Sequence, residues 1–538
     1  MKKPLLLFLC VFISLFAMTQ TIVAETMDPI FSLKIHKIPM FLEGENSLFE
    51  LSLSAEPEKL SGEIEEIRLH FTPESNLDML AWMEVTDTSG LKYYSGQGVK
   101  SGQNITLSLN QKHSQRPQTL IFTFRVDENT DLGKRLELES AEVVFAMSQI
   151  IHVLPGERFV HRPALVLRAT GQDNCDTYRI PGLVTTNTGT LIAVYDNRYN
   201  NSKDLQEDID IGMSRSTDGG QTWEPMQVIM DMGEWGGRPE SLNGIGDPCV
   251  LYDEKNATIW VAALWMSGAT EKDMLWWASK PGMSPTETGQ FMLTKSTDDG
   301  LTWTSPVNIT SQIKDSEWQL LLQGPGRGIC MKNGTLVFPV QFKKDMGEKA
   351  LDGGKYTCHS SIIYSTDAGE NWTIGSGAKS NTTEAQVAEL TDGSLMLNMR
   401  DDRNRTDKGE TNGRAVAITR DLGQTWKTHP SSNAALKEPN CMGSLISANI
   451  WLDGQTQKVL FFSNPNSKTE RTNMTIKASL DEGQTWPREY HITLNETIGF
   501  GYSCMSMIDE DTVGILYEGV KDIYFQKIPV RDFFDTGK

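Results

Sequence analysis

Short runs in which hydrophobic and polar residues alternate occupy the first quarter of the chain. They span residues 48–53, 64–71, 105–109, 119–126 and 136–145. Turn-forming residues, such as the Ser-Gly-Gln-Asn at 101–104, separate the runs. A period of two places the hydrophobic side chains on one face of a strand, and short strands between turns are typical of sandwiches. We therefore predict an antiparallel β-sandwich over residues 25–150.

The rest of the chain carries one eight-residue motif five times. It reads Ser/Thr-x-Asp-x-Gly-x-Thr/Asn-Trp, and its copies are residues 216–223, 296–303, 365–372, 419–426 and 479–486. Successive copies start 54 to 80 residues apart, and strand-like runs flank each of them. This is the spacing of four-stranded propeller blades. The pattern predicts an all-β protein in which a six-bladed β-propeller, with one blade that lacks the motif, occupies residues 161–538.

The two ends of the predicted propeller are expected to meet in one blade. A hydrophobic run at 523–528 lies near the C-terminus, and another at 164–168 lies near the start of the propeller. Pairing of these two runs would close the ring. Residues 151–160, which contain a Pro-Gly pair, are the predicted linker between the sandwich and the propeller.

The residue types of the repeated motif indicate a turn. Its aspartate can accept bonds from nearby backbone N–H groups, its glycine can adopt a positive φ, and its tryptophan can cover the hairpin. A ligand or calcium site at every copy is the alternative interpretation. The turn is favoured, because every residue of the motif has a structural role in it.

The first residues of the chain predict export. Lys2 and Lys3 precede an apolar run over residues 5–18, which is too short to span a bilayer. Residues 1–24 are therefore predicted to be a signal peptide, and the mature protein is expected in the periplasm or outside the cell. No stable membrane insertion is expected.

Charge narrows the possible partners. The 538 residues include 70 acidic and 50 basic side chains, so the formal net charge is −20. A nucleic-acid-binding protein normally has a basic face that neutralises phosphates, so we expect no nucleic-acid partner. The spacing of the histidine and cysteine residues suggests no metal site, and no cofactor is expected. The protein is expected to be a monomer.

Three arginines are candidates for binding a carboxylate. Arg179 precedes Ile180 and Pro181, Arg400 follows a hydrophobic run, and Arg471 lies in a polar segment. A single arginine is most often solvated or ion-paired. Three that converge would bind one carboxylate, because the guanidinium fork matches its two oxygens.

These features together resemble a known family. The Tyr-Arg-Ile-Pro segment at 178–181, the five motifs, Glu384 and the Gly-Tyr-Ser-Cys segment at 501–504 are similar to those of the bacterial exo-sialidases of glycoside hydrolase family 33. The resemblance covers the chain from about residue 160 to its end. It implies a six-bladed propeller with the active site at its centre and the motifs, known as aspartate boxes, at its periphery.

The resemblance also implies which residues bind the substrate, a terminal sialic acid of a sialylated glycan. Arg179, Arg400 and Arg471 match the three arginines that bind the sialic acid carboxylate. Arg198 matches an arginine near the 4-hydroxyl of the sugar, and Asp247 matches a residue near the 4-hydroxyl and the N-acetyl group.

Four further matches imply how the reaction proceeds. Asp204 matches the acid/base residue, Tyr502 the nucleophile, Glu384 its partner base, and Glu518 the residue that orients the first arginine. A neutral tyrosine suits this substrate, because the anomeric carbon bears a carboxylate that would repel a carboxylate nucleophile. The implied activity is that of a retaining exo-α-sialidase, in which a tyrosine replaces the usual carboxylate nucleophile and two displacements give overall retention.

Alternatives remain open for both the function and some residues. A trans-sialidase would use the same residues, and a non-catalytic sialoglycan-binding propeller would use the same arginines. Trp265, Trp276 and Trp277 can line an N-acetyl pocket, although core packing is favoured for each of them. Gln323 and Arg327 are candidates for contacts with the aglycone. Glycan binding by the sandwich is a further hypothesis.

Overall fold

The protein is all-β in its computed structural model, which describes residues 31–53, 63–109, 119–146, 149–270 and 272–534. The predicted signal peptide lies outside the described residues. Helical elements of the described part are short: α1 (Leu275–Ala278), α2 (Thr310–Ile313), α3 (Arg531–Phe534) and 3₁₀ turns at Leu77–Met79, Gln172–Asn174, Glu240–Leu242, Asp402–Arg405 and Arg488–Tyr490. No helix in these ranges has the length and apolar character that a membrane span requires.

The N-terminal region forms two antiparallel sheets from the alternating runs. Its strands are β1 (Phe31–Ile35), β2 (Met40–Phe41), β3 (Asn46–Leu53), β4 (Ile64–Phe71), β5 (Leu80–Asp87), β6 (Lys92–Gly96), β7 (Val99–Ser101), β8 (Asn104–Ser108), β9 (Thr119–Val126), β10 (Leu136–Phe145), β11 (Ile150–Val153) and β12 (Val160–His161). One sheet has the order β1-β3-β9-β5-β6 and the other β11-β10-β4-β8-β7, with β12 paired to β10. The bounds of β4, β9 and β10 coincide with predicted runs.

Alternation along these strands builds the N-terminal core. Phe49, Phe122 and Phe124 of one sheet and Ile67 and Val143 of the other are buried and belong to one hydrophobic cluster. In the second sheet the polar neighbours Glu66, Arg68 and Glu142 are more exposed than the hydrophobic residues between them, as a period of two predicts.

The segment predicted as a linker supplies strands instead. Both β11 and β12 pair with β10, so the two ends of the segment 151–160 extend the second N-terminal sheet, whereas residues 154–159 connect the two strands. The N-terminal region is also joined to the rest of the chain, because β2 pairs in parallel with the first strand beyond residue 162.

The remaining strands follow one another to the C-terminus. They are β13 (Pro163–Arg168), β14 (Thr177–Thr185), β15 (Leu191–Arg198), β16 (Ile209–Ser216), β17 (Gln227–Met230), β18 (Ile245–Asp253), β19 (Thr258–Trp265), β20 (Gln290–Ser296), β21 (Val307–Asn308), β22 (Leu320–Gln323), β23 (Gly326–Arg327), β24 (Ile329–Cys330), β25 (Leu336–Lys344), β26 (Thr357–Ser365), β27 (Thr373–Ile374), β28 (Lys379–Ser380), β29 (Thr382–Glu389), β30 (Leu395–Asp401), β31 (Ala415–Thr419), β32 (Lys427–Thr428), β33 (Ser444–Leu452), β34 (Gln455–Pro465), β35 (Met474–Ser479), β36 (His491–Asn495), β37 (Ser503–Asp509), β38 (Thr512–Glu518) and β39 (Ile523–Pro529).

Within the described residues these strands form six sheets. Their orders are β2-β13-β39-β38-β37, β14-β15-β16-β17, β21-β20-β19-β18-β23, β22-β25-β26-β27, β29-β30-β31-β32 and β33-β34-β35-β36. The first strands of neighbouring sheets contact each other. Strand β14 contacts both β18 and β37, and β29 contacts β33. The predicted pairing of the two ends is confirmed, because Leu165 of β13 lies opposite Phe525 of β39.

Each aspartate box begins at the last residue of a third strand and turns the chain into the fourth. In the second box, Asp298 accepts hydrogen bonds from the Ser296 hydroxyl at 2.7 Å and from the Thr302 amide at 2.9 Å. Gly300 has φ +86°, and a Cβ there would lie 2.7 Å from the Ile192 side chain. The Trp303 indole donates to the Gly300 carbonyl at 3.2 Å. The box is therefore a self-contained turn, as its residue types predict.

Candidate active site

Five of the predicted site residues line one cavity of about 290 Å³. Its walls come from different sheets and from the loops that leave them. The predicted residues among its lining are Asp204, Asp247, Glu384, Arg400 and Tyr502. The arrangement of the sheets therefore brings residues that are far apart in sequence together in this cavity.

Tyr502, Glu384 and Arg400 form the most tightly connected group. The Tyr502 hydroxyl donates a hydrogen bond to Oε1 of Glu384, which lies on β29. Arg400, at the end of β30, donates to Oε2 of Glu384 at 2.6 Å and to the Tyr502 hydroxyl oxygen at 3.2 Å. The second terminal nitrogen of Arg400 donates to Asn440 at 3.0 Å, which fixes the guanidinium.

Electrostatics in this group favour an ionised Glu384 beside a neutral Tyr502. Burial and the Glu384 charge raise the pKa of Tyr502 well above its usual value, although Arg400 and Arg471 oppose this. Burial also acts to raise the pKa of Glu384, but Arg400 and the Tyr502 hydroxyl outweigh it and the net shift is downward. Glu384 can therefore accept the tyrosine proton when a reaction makes that transfer favourable.

Glu518 holds two parts of the site together from β38. Its Oε1 accepts hydrogen bonds from Arg179 Nε at 3.1 Å and from the Ile180 amide at 2.9 Å, and its Oε2 accepts one from the Tyr502 amide at 2.8 Å. Ile180 has φ +58°, which is costly for a β-branched residue. The bond to its amide stabilises this backbone and so fixes the direction of the Arg179 side chain.

Asp204 lies at the edge of the cavity and pairs with two arginines. Its Oδ1 accepts hydrogen bonds from Arg198 at 2.8 Å and from Arg179 at 3.2 Å. The side chain is 58% exposed. Desolvation acts to raise the pKa of Asp204, but the two guanidinium groups outweigh it and the pKa lies below its usual value. Asp204 is therefore a charged group that is accessible from solvent.

Arg198 and Asp247 are linked through a residue that the sequence analysis missed. Asp196, two positions before Arg198 on the same face of β15, accepts from Arg198 at 2.8 and 3.1 Å. The other oxygen of Asp196 accepts the Asp247 amide at 2.9 Å. Burial, Asp196 and Asp204 raise the pKa of Asp247 well above its usual value. The spacing Asp196-x-Arg198 in a predicted strand was the signal that could have revealed this pair.

The three predicted carboxylate-binding arginines surround Tyr502. The Arg179 and Arg471 guanidinium carbons lie 5.2 and 5.6 Å from the centre of the tyrosine ring. Arg471 donates to the Phe500 carbonyl at 2.7 Å, and within the described ranges no carboxylate lies at ion-pairing distance from it. Its remaining N–H groups are available to an anion, which is the use that a carboxylate substrate would make of them.

The less specific predictions have mixed outcomes. Trp265 is buried and packs edge-on against Trp235, as the core interpretation states, whereas Trp276 and Trp277 line the cavity. Gln323 is buried and donates to the carbonyl of Asp247 from below the site. The prediction for Arg327 is wrong: its side chain lines a separate cavity, where it donates a hydrogen bond to the Met505 carbonyl of β37 at 3.2 Å.

Comparison with known proteins supplies independent information. The BNR repeat-like domain family matches residues 180–489. A sialidase of Bacteroides fragilis is 41% identical, and the match covers 99% of this chain and 99% of that protein. A sialidase of Paraclostridium sordellii is 31% identical over 66% of this chain and 84% of its own length. The solved structure of the Hadza microbial sialidase Hz136 is 40% identical with a TM-score of 0.78, and the match covers 93% of this chain and 99% of that one.

Proposed function

This chain belongs to the sialidase family and is an exo-α-sialidase, and we propose that it releases terminal sialic acid with retention of configuration through a covalent bond to Tyr502. The observation that carries this proposal is the hydrogen bond from Tyr502 to Glu384 within a ring of three arginines. A hydroxyl with its own base is an activated nucleophile, and the arginines provide a place for the substrate carboxylate beside it.

The first displacement would use three groups. The carboxylate of the sialic acid binds Arg179, Arg400 and Arg471, which places the anomeric carbon near the Tyr502 oxygen. That oxygen attacks the anomeric carbon while Glu384 takes its proton. The bond from the anomeric carbon to the aglycone oxygen breaks, and Asp204 donates a proton to that oxygen.

Asp204 must gain a proton before it can act as the acid. In the free protein, Arg179 and Arg198 keep its pKa low. A bound carboxylate would share Arg179 and add a second negative charge next to Asp204, and both changes raise the pKa of Asp204. Substrate binding would in this way prepare its own acid catalyst.

The second displacement would reverse the roles. Water attacks the anomeric carbon and loses a proton to Asp204, the bond to the Tyr502 oxygen breaks, and Glu384 returns the proton to the tyrosine. Two inversions give net retention. The substrates we propose are terminal α-linked sialosides of glycoproteins, glycolipids and oligosaccharides.

The architecture we propose for the whole chain has two parts. The six sheets of residues 163–529 would be the blades of a six-bladed propeller, and the two N-terminal sheets would form a sandwich. The antiparallel pairing of β39, the last strand of these sheets, with β13, the first, supports the ring. We also propose that residues 1–24 direct export, which fits an enzyme whose substrates are glycans outside the cell.

The decisive experiment follows the products in time. The purified protein is incubated with α2-3, α2-6 and α2-8 linked sialosides, and proton NMR records the first anomer while mass spectrometry identifies the products. We expect free sialic acid that appears first as the α-anomer. Transfer to an added sugar or a 2,7-anhydro product would indicate a trans-sialidase, and binding without any product would indicate a sialoglycan-binding protein; either result contradicts the proposal.

A further inference from the structure

A buried ion pair lies beneath two tryptophans of the substrate cavity. Nζ of Lys343, on β25, is 3.0 Å from Oδ2 of Asp352, and the side chains are 1% and 2% exposed. The same Nζ lies 4.1 Å from the Trp276 ring centre and 4.7 Å from that of Trp277. The Trp276 indole donates to the same carboxylate oxygen at 3.0 Å. One charge pair therefore contacts both rings.

Further contacts fix this arrangement. The Gly354 amide donates to the other oxygen of Asp352 at 2.8 Å. A Cβ at Gly354 would lie 2.9 Å from Cζ3 of Trp277, so only glycine lets the backbone approach the ring this closely. The two indole planes are held at 89° to each other, with their centres 6.3 Å apart.

A buried ion pair needs a reason beyond stability. Taking both charges out of water costs free energy that their attraction repays only in part, so such pairs are weak stabilisers of a fold. Here the ammonium faces two aromatic rings, where a desolvated cation is attracted most strongly. The pair is therefore well suited to hold the rings in one position.

The rings that it holds face the substrate cavity. Trp276 and Trp277 line the cavity together with Tyr502 and Glu384, whereas Lys343 does not reach it. Trp277 is 48% exposed, and so its ring offers an apolar surface beside the reacting group. Exposed indole next to a polar site suits contact with the C–H face of a carbohydrate.

We propose that Lys343 and Asp352 are positioning residues that hold Trp276 and Trp277 as an apolar wall, and that this wall contacts a C–H surface of the bound sialoside and sets substrate preference. The inference rests on the proposed function, because the sialoside is the ligand. Either the N-acyl group or the aglycone sugar can supply that surface, and the substrates of the test distinguish them.

A double-mutant cycle tests whether Lys343 acts through Trp277. The variants are Lys343→Met, Trp277→Ala and the double variant, assayed for kcat and KM on sialyllactose. We expect Lys343→Met to raise KM by about tenfold, the loss of roughly one contact between the displaced rings and the substrate, with kcat changed less than about threefold. The double variant should raise KM by less than the product of the two single effects, because without Trp277 the lysine can act only through Trp276.

Substrate pairs identify the surface that the wall contacts. One pair shares an aglycone and carries an N-acetyl or an N-glycolyl group; the other shares the sialic acid and carries lactose or methyl as the aglycone. Lys343→Met should abolish the preference within one pair and leave the other preference unchanged. Preferences that are equal to wild type in both pairs would overturn the inference.

Two controls separate positioning from general stability. Lys314→Met removes another buried lysine, which bonds to the carbonyls of Gly282 and Trp318, and it should lower stability without changing KM. Asp352→Asn keeps an acceptor for Trp276 and should raise KM less than Lys343→Met; it also serves if the latter does not fold. Additive effects in the double variant, or an equal KM change in Lys314→Met, would overturn the inference.

Failure of the proposed function is distinguishable from failure of this inference. A wild-type protein that cleaves no sialoside contradicts the proposed function. In that case, tryptophan fluorescence during titration with a hydrolysis-resistant thiosialoside still tests the wall. A spectral change that Trp277→Ala and Lys343→Met both reduce supports it, and an unchanged response in Lys343→Met overturns it.

Discussion

The carboxylates of the aspartate boxes and those of the active site obtain their partners in opposite ways. In the second box, the hydrogen-bond partners of Asp298 are Ser296 and Thr302, two and four residues away. In the site, Glu384 bonds to Tyr502, 118 residues away, and Glu518 bonds to Arg179, 339 residues away. The box therefore depends on its own sequence, whereas the site depends on the arrangement of all the sheets.

The chemical nature of the partners differs as well. Neutral hydroxyl and amide donors of Thr302 and Ser296 lower the pKa of Asp298 to about 2. In the site, the charges of Arg198 and Arg179 lower the pKa of Asp204 against the effect of desolvation. A bound anion can draw an arginine away from Asp204, but no substrate competes for the donors of the box. The site carboxylate can respond to a ligand, and the box carboxylate is fixed.

The largest effect is expected from Tyr502→Phe, which removes one hydroxyl from the long-range group. We expect kcat to fall by about a thousandfold or more, because the nucleophile is lost while the ring and its packing remain. The melting temperature should stay close to that of the wild type. Steady-state kinetics and a thermal melt check both.

A matched control is Tyr517→Phe, which removes a buried hydroxyl that bonds to Gln526 at 3.0 Å outside the cavity. It should keep kcat. Equal activity of Tyr502→Phe and the wild type would show that the contacts of Tyr502 with distant residues have only a structural role. The functional difference between the site and the boxes would then be lost.

The response of Asp204 to an anion is the next largest effect. Because its pKa is low in the free protein and rises when the ligand carboxylate shares Arg179, binding of a hydrolysis-resistant thiosialoside near pH 6 should take up a proton. Isothermal titration calorimetry in two buffers with different ionisation enthalpies measures this uptake. Affinity should increase as the pH falls toward the free-protein pKa, since the protonated form is the one that the complex favours.

Asp204→Asn is the matched variant for that measurement. It should abolish the proton uptake and lower kcat on sialyllactose by about a hundredfold, because the leaving oxygen loses its acid. The loss should be much smaller on a nitrophenyl sialoside, whose leaving group needs no proton. Proton uptake that persists in Asp204→Asn would assign the response to another group.

This contrast also explains how far the sequence predicts the fold. The bounds of β4, β9 and β10 follow from alternation, and the boxes follow from residue types, because both depend on neighbours in the sequence. The pairing of β13 with β39 follows from the hydrophobic runs at the two ends of the predicted propeller, which a closed ring brings together. The strands β11 and β12 are not predicted, because both are short and the Pro-Gly pair between them, at 155–156, is more typical of a linker.

The site was predicted through resemblance and not through pattern. Spacing alone does not reveal that Arg471 lies beside Tyr502, since a loop of polar residues gives no register. Asp196 and Asn440 were missed, because each acts on an arginine and not on the cavity itself. The wrong prediction for Arg327 has the same cause: a glycine-rich segment does not reveal which way its side chains face.

A smaller effect tests the buried part of the site. Burial and the charges of Asp196 and Asp204 raise the pKa of Asp247, so we expect it to carry a proton at neutral pH. Asp247→Asn should then change KM by less than about fivefold, because a neutral amide resembles a protonated carboxyl group. Asp247→Leu, of similar volume, should raise KM by about tenfold or more, since it lacks the polar atoms. A larger loss in Asp247→Asn would indicate that Asp247 is ionised.

The smallest effect is expected in the box, where Asp298→Ala should lower stability without changing the chemistry. Three donors lose their acceptor, and we expect the free energy of unfolding to fall by about 1–2 kcal/mol, with kcat and KM unchanged. Because the pKa of Asp298 is depressed to about 2, its contribution is complete above about pH 4 and is lost as the pH falls toward 2. Urea titrations at pH 7 and pH 3 measure the loss of stability and its pH dependence.

The control is Asp509→Ala, which removes the acceptor of one backbone N–H hydrogen bond in another turn. It should lower the free energy of unfolding by less than half as much. A change in KM for Asp298→Ala would mean that a turn with only local partners still reaches the active site, and the separation between the two regions would fail.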